Sequence, residues 1–232
     1  MEAIILAGGL GTRLRSVVPD LPKCMAPVNG RPFLTYVIHH LQQQGVEHFI
    51  FSLGYMSQPI VDFLLESFPA LHFSLSIEDE PLGTGGAIRQ ALTFAEGENV
   101  LVTNGDTLFK INVNNAFDLH HKKKSDCTLC LKPMTNFDRY GVVEIDAENR
   151  ITSFKEKQHY DSGLINGGVY VVNKESFLQE NLPLKFSFEK NYLDQFFTDR
   201  PMYGMGQNEY FIDIGIPEDF AKAQIEIFLK EQ

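Results

Sequence analysis

Apolar residues recur along this chain in two rhythms, and the balance between them shifts near its middle. Residues 1–7 form a short, mostly apolar run that ends at Gly8-Gly9, which predicts a buried parallel strand opening the fold. Residues 32–44 carry Phe33, Leu34, Val37, Ile38 and Leu41 at helical spacing, with Gly45 as a stop. Residues 48–53 read as the next strand. Ser57 then caps a predicted helix that buries Ile60, Val61, Phe63, Leu64 and Leu65. The pattern continues as a strand over 71–77, a loop over 79–86, a helix over 87–95 and a strand over 99–103 that ends at Asn104-Gly105-Asp106. Strands alternating with helical stretches predict a parallel sheet covered by helices. Ligands of such sheets sit beyond the carboxyl ends of the strands. That singles out the loops 8–29, 79–86 and 104–106.

After residue 106 strands follow in quick succession, at 126–131, 140–145, 150–154 and 163–172, with 146–149 as a hairpin turn. Helical patterns return at 174–179, 188–197 and 217–229. No internal repeat, low-complexity tract or linker interrupts the pattern, so 1–232 is expected to be one domain whose second half adds antiparallel strands to the sheet of the first.

Composition narrows the function. The chain is 44% hydrophobic and 22% charged, a globular balance that excludes a disordered tail, a collagen-like repeat and a coiled coil. Its net charge of −10 argues against coating nucleic acid or an anionic membrane, while leaving room for phosphate binding by a few focused cations. No apolar run approaches a membrane span, and the first residues carry no basic region of a secretory signal. Three cysteines, with Cys127 and Cys130 three apart in a strand-like run, are expected to be buried free thiols of a reducing, cytoplasmic compartment. His39-His40 and His120-His121 lack metal-site spacing and are expected to serve packing or helix surface. Lys122 to Lys124 read as a solvated helix end.

Three segments carry chemistry. The first is Gly8-Gly9-Leu10-Gly11-Thr12-Arg13-Leu14, which continues to Pro22-Lys23. Its glycines allow backbone N–H groups to approach a phosphate, Arg13 can fork two phosphate oxygens and Lys23 supplies a point charge. It matches neither the dinucleotide fingerprint nor the P-loop, because Leu14 stands where a third glycine would be needed and no Gly-Lys-Ser/Thr exists. The second is Glu78-Asp79-Glu80-Pro81-Leu82-Gly83-Thr84-Gly85-Gly86, acids followed by glycines that lead into a helix N-terminus. A carboxylate there suits a base edge with two donors, as guanine has. The third pairs the strand-end Asp106 with Asp213 in Phe211-Ile212-Asp213-Ile214-Gly215, two acids suited to a Mg²⁺ that keeps waters and substrate oxygens.

Together these residues resemble the sugar-1-phosphate nucleotidyltransferases. The likeness spans essentially the whole chain. It rests on Gly8, Gly9, Gly11, Thr12, Arg13 and Leu14 with Pro22-Lys23; on Pro81 to Ala87, with Gly85 where the family usually has Ala; and on Gly105-Asp106. It continues through Phe154, Glu156 and Lys157, through Asn166, Gly168 and Tyr170, and through Asp213 to Asp219. Cys24 departs from the usual Pro after the lysine, and no C-terminal left-handed β-helix is expected after Asp219. The resemblance implies a three-layer, Rossmann-like α/β fold with a mixed, mainly parallel sheet. Residues 1–106 would bind the nucleotide and 107–232 the sugar phosphate.

It also implies roles. Leu6, Gly8, Gly9, Gly11 and Thr12 would hold the nucleotide, with Glu80, Gly83 and Thr84 facing the base. Arg13, Lys23 and Asp106 would be catalytic, and Asp106 and Asp213 would hold Mg²⁺. Gly141, Glu156, Lys157 and Asn166 would line the sugar-phosphate site. The substrates would be a nucleoside triphosphate, GTP favoured, and a sugar 1-phosphate, with no nucleic acid or membrane involved. The Glu78–Gly86 loop and the Asn166–Tyr170 strand are most similar to those of short guanylyltransferases acting on a heptose 1-phosphate. Mannose 1-phosphate with GTP, a uridylyl or thymidylyl transfer to a hexose 1-phosphate, and a silent sugar-nucleotide-binding regulator stay open as alternatives. Relatives of this size often pair, which leaves a homodimer open.

Overall fold

The computed structural model describes residues 1–9, 14 and 17–230. In chain order its elements are β1 (Glu2–Leu6), β2 (Pro27–Val28), β3 (Arg31–Pro32), α1 (Phe33–Gln43), β4 (His48–Leu53), α2 (Ser57–Ser67), β5 (Phe73–Ile77), α3 (Gly83–Ala91), β6 (Asn99–Asn104), β7 (Thr107–Phe109) and α4 (Val113–Lys123). Then follow β8 (Cys127–Phe137), β9 (Val142–Ile145), β10 (Ile151–Lys155), β11 (Tyr160–Asn173), α5 (Lys174–Gln179), α6 (Asp194–Phe196), β12 (Met202–Gly206), β13 (Phe211–Asp213) and α7 (Pro217–Lys230).

Among the described residues nine strands form one sheet, with β10, β9, β11, β6, β1, β4 and β5 side by side and β8 and β12 joined through β11. β1 runs parallel to both β4 and β6, and β4 to β5, as the alternating first half predicts. The second half adds β11 antiparallel to β6, then β8 and β9 antiparallel to β11. Alternation along each strand splits the core across the sheet. Ala3, Ile5, Phe49, Phe51 and Leu101 pack on one face with α1, α2 and α7. Ile4, Ile50, Val100 and Val102 pack on the other with α3 and α5. The result is helix, sheet, helix: a three-layer α/β fold with a mixed, mostly parallel sheet. Cys127 joins the second cluster and Cys130 the first, because strand residues three apart face opposite ways. His120 is buried and bonds Thr128 Oγ1 at 3.0 Å and Asn99 Oδ1 at 2.9 Å, a packing role.

Several local expectations are corrected. Met56, at φ +59°, and not Ser57, precedes the first turn of α2, and its side chain makes no cap. α3 begins at Gly83 rather than Ala87, so the glycines lie inside a helix. Their cause is packing from a distant segment. A Cβ on Gly83 would come within 2.6 Å of Phe186 O, one on Gly86 within 2.5 Å of Leu184 O, and one on Gly85 within 2.1 Å of the Phe186 ring. Gly85 N–H donates to Phe186 O at 3.0 Å and Phe186 N–H to Leu82 O at 2.9 Å, so the two segments are zipped together. Residues 188–197 form a π-helical turn over Phe188–Leu193 before α6, not one α-helix. Ser187 caps that turn through Lys190 N–H at 3.2 Å.

The contact at Gly85 yields a first expected result. Gly85→Ala drives a methyl into an aromatic ring that also lies 4.7 Å beneath the Arg89 guanidinium. Overpacking of this kind costs about 1–3 kcal/mol. Chemical denaturation should register that loss, and Phe186→Leu in the same chain should recover part of it. Wild-type stability in Gly85→Ala alone would refute the packing explanation.

Candidate active site

The carboxyl ends of β1, β4 and β6 converge because their backbones approach closely there. Ala7 N–H donates to Ser52 O and Gly105 N–H to Leu6 O, both at 2.8 Å. Gly8 is required at that crossing, since a Cβ would meet Gly54 N at 2.9 Å. β1 has one parallel neighbour on each side, so this is the point where the winding of the sheet reverses, the usual place for a ligand. A cavity of about 620 Å³ opens there. Leu6, Gly8, Gly9, Lys23, Gly83, Thr84 and Asp106 line it, so the fold brings these sequence-predicted residues to one cavity. Gly11, Thr12 and Arg13 lie outside the described residues.

Of the acidic run, Glu78 and Asp79 line this cavity and Glu80 does not. Glu78 is half-buried in the wall, and its Oε2 accepts the Leu82 N–H at 2.8 Å. Burial raises its pKa above the usual carboxylate value, with the Leu82 bond pulling the other way. Glu80 is exposed and does not line the cavity. The turn closed by the Glu78–Leu82 bond leaves the two intervening acids exposed to solvent.

A second cavity of about 280 Å³ adjoins the first, under β9, β10 and the bulge in β11 where the register shifts between Asn166 and Val169. Gly141, Lys157, Asn166 and Asp213 line it. Asn166 donates from Nδ2 to Tyr170 Oη at 2.8 Å and accepts Gly168 N–H at 3.0 Å. Gly141 is held to hydrogen, because a Cβ would lie 2.3 Å from Lys155 O. Glu156 is exposed and does not line this cavity, although Lys155 and Lys157 on either side of it do. Asn104 and Glu189 line both cavities, and Glu189 carries no signal in the sequence that separates it from a helix-surface acid.

At the junction stand the two aspartates. β13 pairs antiparallel with β7, setting Asp213 opposite Thr107, and Ile214 N–H donates to Asp106 O at 3.0 Å. Lys23 Nζ donates to Asp106 Oδ2, and Asp213 Oδ1 accepts the Gly215 N–H at 2.7 Å. Burial first, then the charge of Asp106, holds the Asp213 carboxyl above its usual pKa, against the pull of Lys23, the Gly215 N–H and Arg139. Arg139, ion-paired to Asp219 on the first turn of α7, also feels the charge of Asp213. Cys24, beside Lys23, is buried and its thiol is pushed up to about 12, which leaves it inert as a nucleophile. No helix among the described residues is long and apolar enough to cross a membrane.

A glycine-lined cavity at the sheet's switch point, a second cavity beside it and two acids at their junction suit a transfer between two bound anions. The chain belongs to the nucleotidyl transferase family, whose model matches residues 2–228. It is 49% identical over 227 residues to the D-glycero-alpha-D-manno-heptose 1-phosphate guanylyltransferase of Aneurinibacillus thermoaerophilus, covering 98% of each chain. It is 43% identical to the enzyme of the same name from Campylobacter jejuni, covering 95% of this chain and 97% of that one. The crystal structure of HddC from Yersinia pseudotuberculosis complexed with GMP-PN superposes with a TM-score of 0.88 at 37% identity, covering 97% of this chain and 99% of that one.

Proposed function

We propose that the chain is an enzyme that transfers GMP from GTP to D-glycero-α-D-manno-heptose 1-phosphate, releasing pyrophosphate and forming a GDP-heptose. The observation that carries this reading is the pair of adjoining cavities, with Lys23 and Asp106 on the wall of one and Asp213 on the wall of the other. Full-length similarity to two heptose 1-phosphate guanylyltransferases, and to a protein solved with GMP-PN, supports the choice of base and sugar.

The nucleotide occupies the larger cavity. The sugar phosphate occupies the smaller one, where Lys157 meets its charge. Its phosphate is anionic at neutral pH, so no general base is required. A phosphate oxygen bonds to the α-phosphorus, the bond from that phosphorus to the bridging oxygen breaks, and the electron pair leaves on pyrophosphate. The protein's task is to hold two anions in line against their repulsion and to stabilise the charge that develops. Lys23 serves that task, and the family resemblance assigns Arg13, which lies outside the described residues, to it as well.

Asp106 and Asp213 fit Mg²⁺. They are two hard oxygen donors at one junction, and burial together with the charge of Asp106 disfavours a second negative charge on Asp213, which a cation would relieve. A Mg²⁺ held by these two carboxylates would neutralise phosphate charge. In the nucleotide cavity Glu78 takes the base-reading role first expected of Glu80.

A pyrophosphate-release screen of four nucleoside triphosphates against a panel of sugar 1-phosphates tests the proposal. GTP with the heptose 1-phosphate should give the highest kcat/KM. A preference for UTP or dTTP with a hexose 1-phosphate, or for mannose 1-phosphate with GTP, would replace it.

A further inference from the structure

Glu189 stands at the head of the π-helical turn, its Oε2 accepting from Thr84 Oγ1 at 2.8 Å and from Ser187 Oγ at 3.0 Å. Thr84 Oγ1 in turn accepts the Phe188 N–H at 2.8 Å. The carboxylate is therefore clamped from two sides, and among the described residues both of these bonds fall on the same oxygen. It borders the nucleotide cavity at Thr84 and the sugar-side cavity at Asn166 and Tyr170. Its negative charge reaches Tyr170, adding to the effect of burial in holding that phenol protonated.

An ionised carboxylate only accepts hydrogen bonds, and it has room for about four. A clamped carboxylate at the seam of two anion-binding cavities repels phosphate. The ligand group that suits it is a neutral donor, and in a sugar phosphate that means a hydroxyl. Glu156, the acid expected to line the sugar site, is exposed and outside the wall, so Glu189 is the described glutamate that this cavity offers.

On this ground, and resting on the reaction proposed above, we infer that Glu189 is a specificity-determining residue of the sugar site, its Oε1 accepting a sugar hydroxyl while Thr84 and Ser187 fix its direction. A site built for such a bond rejects the analogue that lacks the hydroxyl, because the half-buried acceptor is then left without that partner.

The test is steady-state kinetics on the full chain, with GTP, the heptose 1-phosphate and its monodeoxy analogues as substrates. Wild type should reject one deoxy analogue strongly. Glu189→Gln should raise KM for the sugar phosphate about tenfold or more, leave KM for GTP within about twofold, and turn over that deoxy analogue nearly as well as the parent sugar. Glu189→Asp, which keeps the charge but withdraws it by one methylene, should do the same and serves if the Gln variant does not fold. Thr84→Val, which loosens the clamp without removing the acceptor, should weaken discrimination less. Equal losses for both substrates in Glu189→Gln and Thr84→Val, with discrimination between parent and deoxy sugar intact, would overturn the assignment and leave Glu189 a structural clasp. Absence of pyrophosphate release by wild type with GTP and any sugar 1-phosphate would instead bring down the proposed reaction, and the assignment with it.

Discussion

Asp213→Asn is expected to lower kcat by about a hundredfold or more at saturating Mg²⁺ while the fold survives. Asparagine keeps the shape of the side chain, so the Gly215 N–H can still be accepted, but the charge that would hold a cation at the junction is gone. The stability effect should run the opposite way. Burial and the neighbouring Asp106 raise the Asp213 pKa, so the folded state binds that proton more tightly than the unfolded chain does. Wild type therefore loses stability as pH rises through the folded-state pKa, and an uncharged asparagine avoids that loss. In metal-free buffer at neutral pH, Tm of the variant should equal or exceed that of wild type.

Asp106→Asn differs in sign. It removes the partner of the part-buried Lys23 ammonium, so Tm should fall along with kcat. A pyrophosphate-release assay with a thermal melt on the same samples reads both quantities. Near-normal turnover in Asp213→Asn would remove that residue from the proposed metal site, whatever its effect on Tm.

Much of this architecture was legible because it is written in short-range periodicity. The strand over 48–53 and the helix over 174–179 occur with the expected bounds, the first as a mostly apolar run and the second set off by Asn173, whose side chain caps it through the Ser176 N–H. The strand-end acid at 106 and the glycines after β1 stand at the ligand edge because a parallel sheet puts every carboxyl end on one side. What escaped detection depends on partners distant in sequence. Gly83, Gly85 and Gly86 look like a phosphate loop, yet their lack of side chains is demanded by Leu184 and Phe186, about a hundred residues on. β12 has no strand-like alternation of its own and exists through its parallel register with β8. The π-helical turn at Phe188 shares its apolar residues with an α-helical pattern, so no periodicity announces that it turns Glu189 to the seam of the cavities. Three acids in a row, Glu78, Asp79 and Glu80, were chemically equivalent in the sequence. In the fold Glu80 falls off the cavity wall, and of the two that line it Glu78 is the half-buried one held by the Leu82 N–H, while Asp79 is exposed.

That distinction makes Glu78→Gln the sharpest test of base recognition. Guanine presents N1–H and N2–H₂ side by side, and one carboxylate accepts both. Uracil presents a single N3–H between two carbonyl oxygens, which a carboxylate repels. Glu78 is half-buried in the larger cavity, proposed above for the nucleotide, with Oε2 already aligned by the Leu82 N–H. Discrimination by unpaired buried groups reaches about 10⁴-fold where a site is built for the bond. Wild type should prefer GTP to UTP strongly in kcat/KM. Glu78→Gln, whose amide offers one acceptor and one unwanted donor, should cut that ratio about tenfold or more, whereas Glu80→Gln should leave it within about twofold. Protonation should mimic the substitution. Because burial raises the pKa of Glu78, the preference for GTP should start to erode at a higher pH than an exposed glutamate would dictate. The two kcat/KM values, measured across pH in all three proteins, decide the matter: an unchanged GTP/UTP ratio in Glu78→Gln would clear that carboxylate of reading the base and shift the role to backbone groups of the cavity wall.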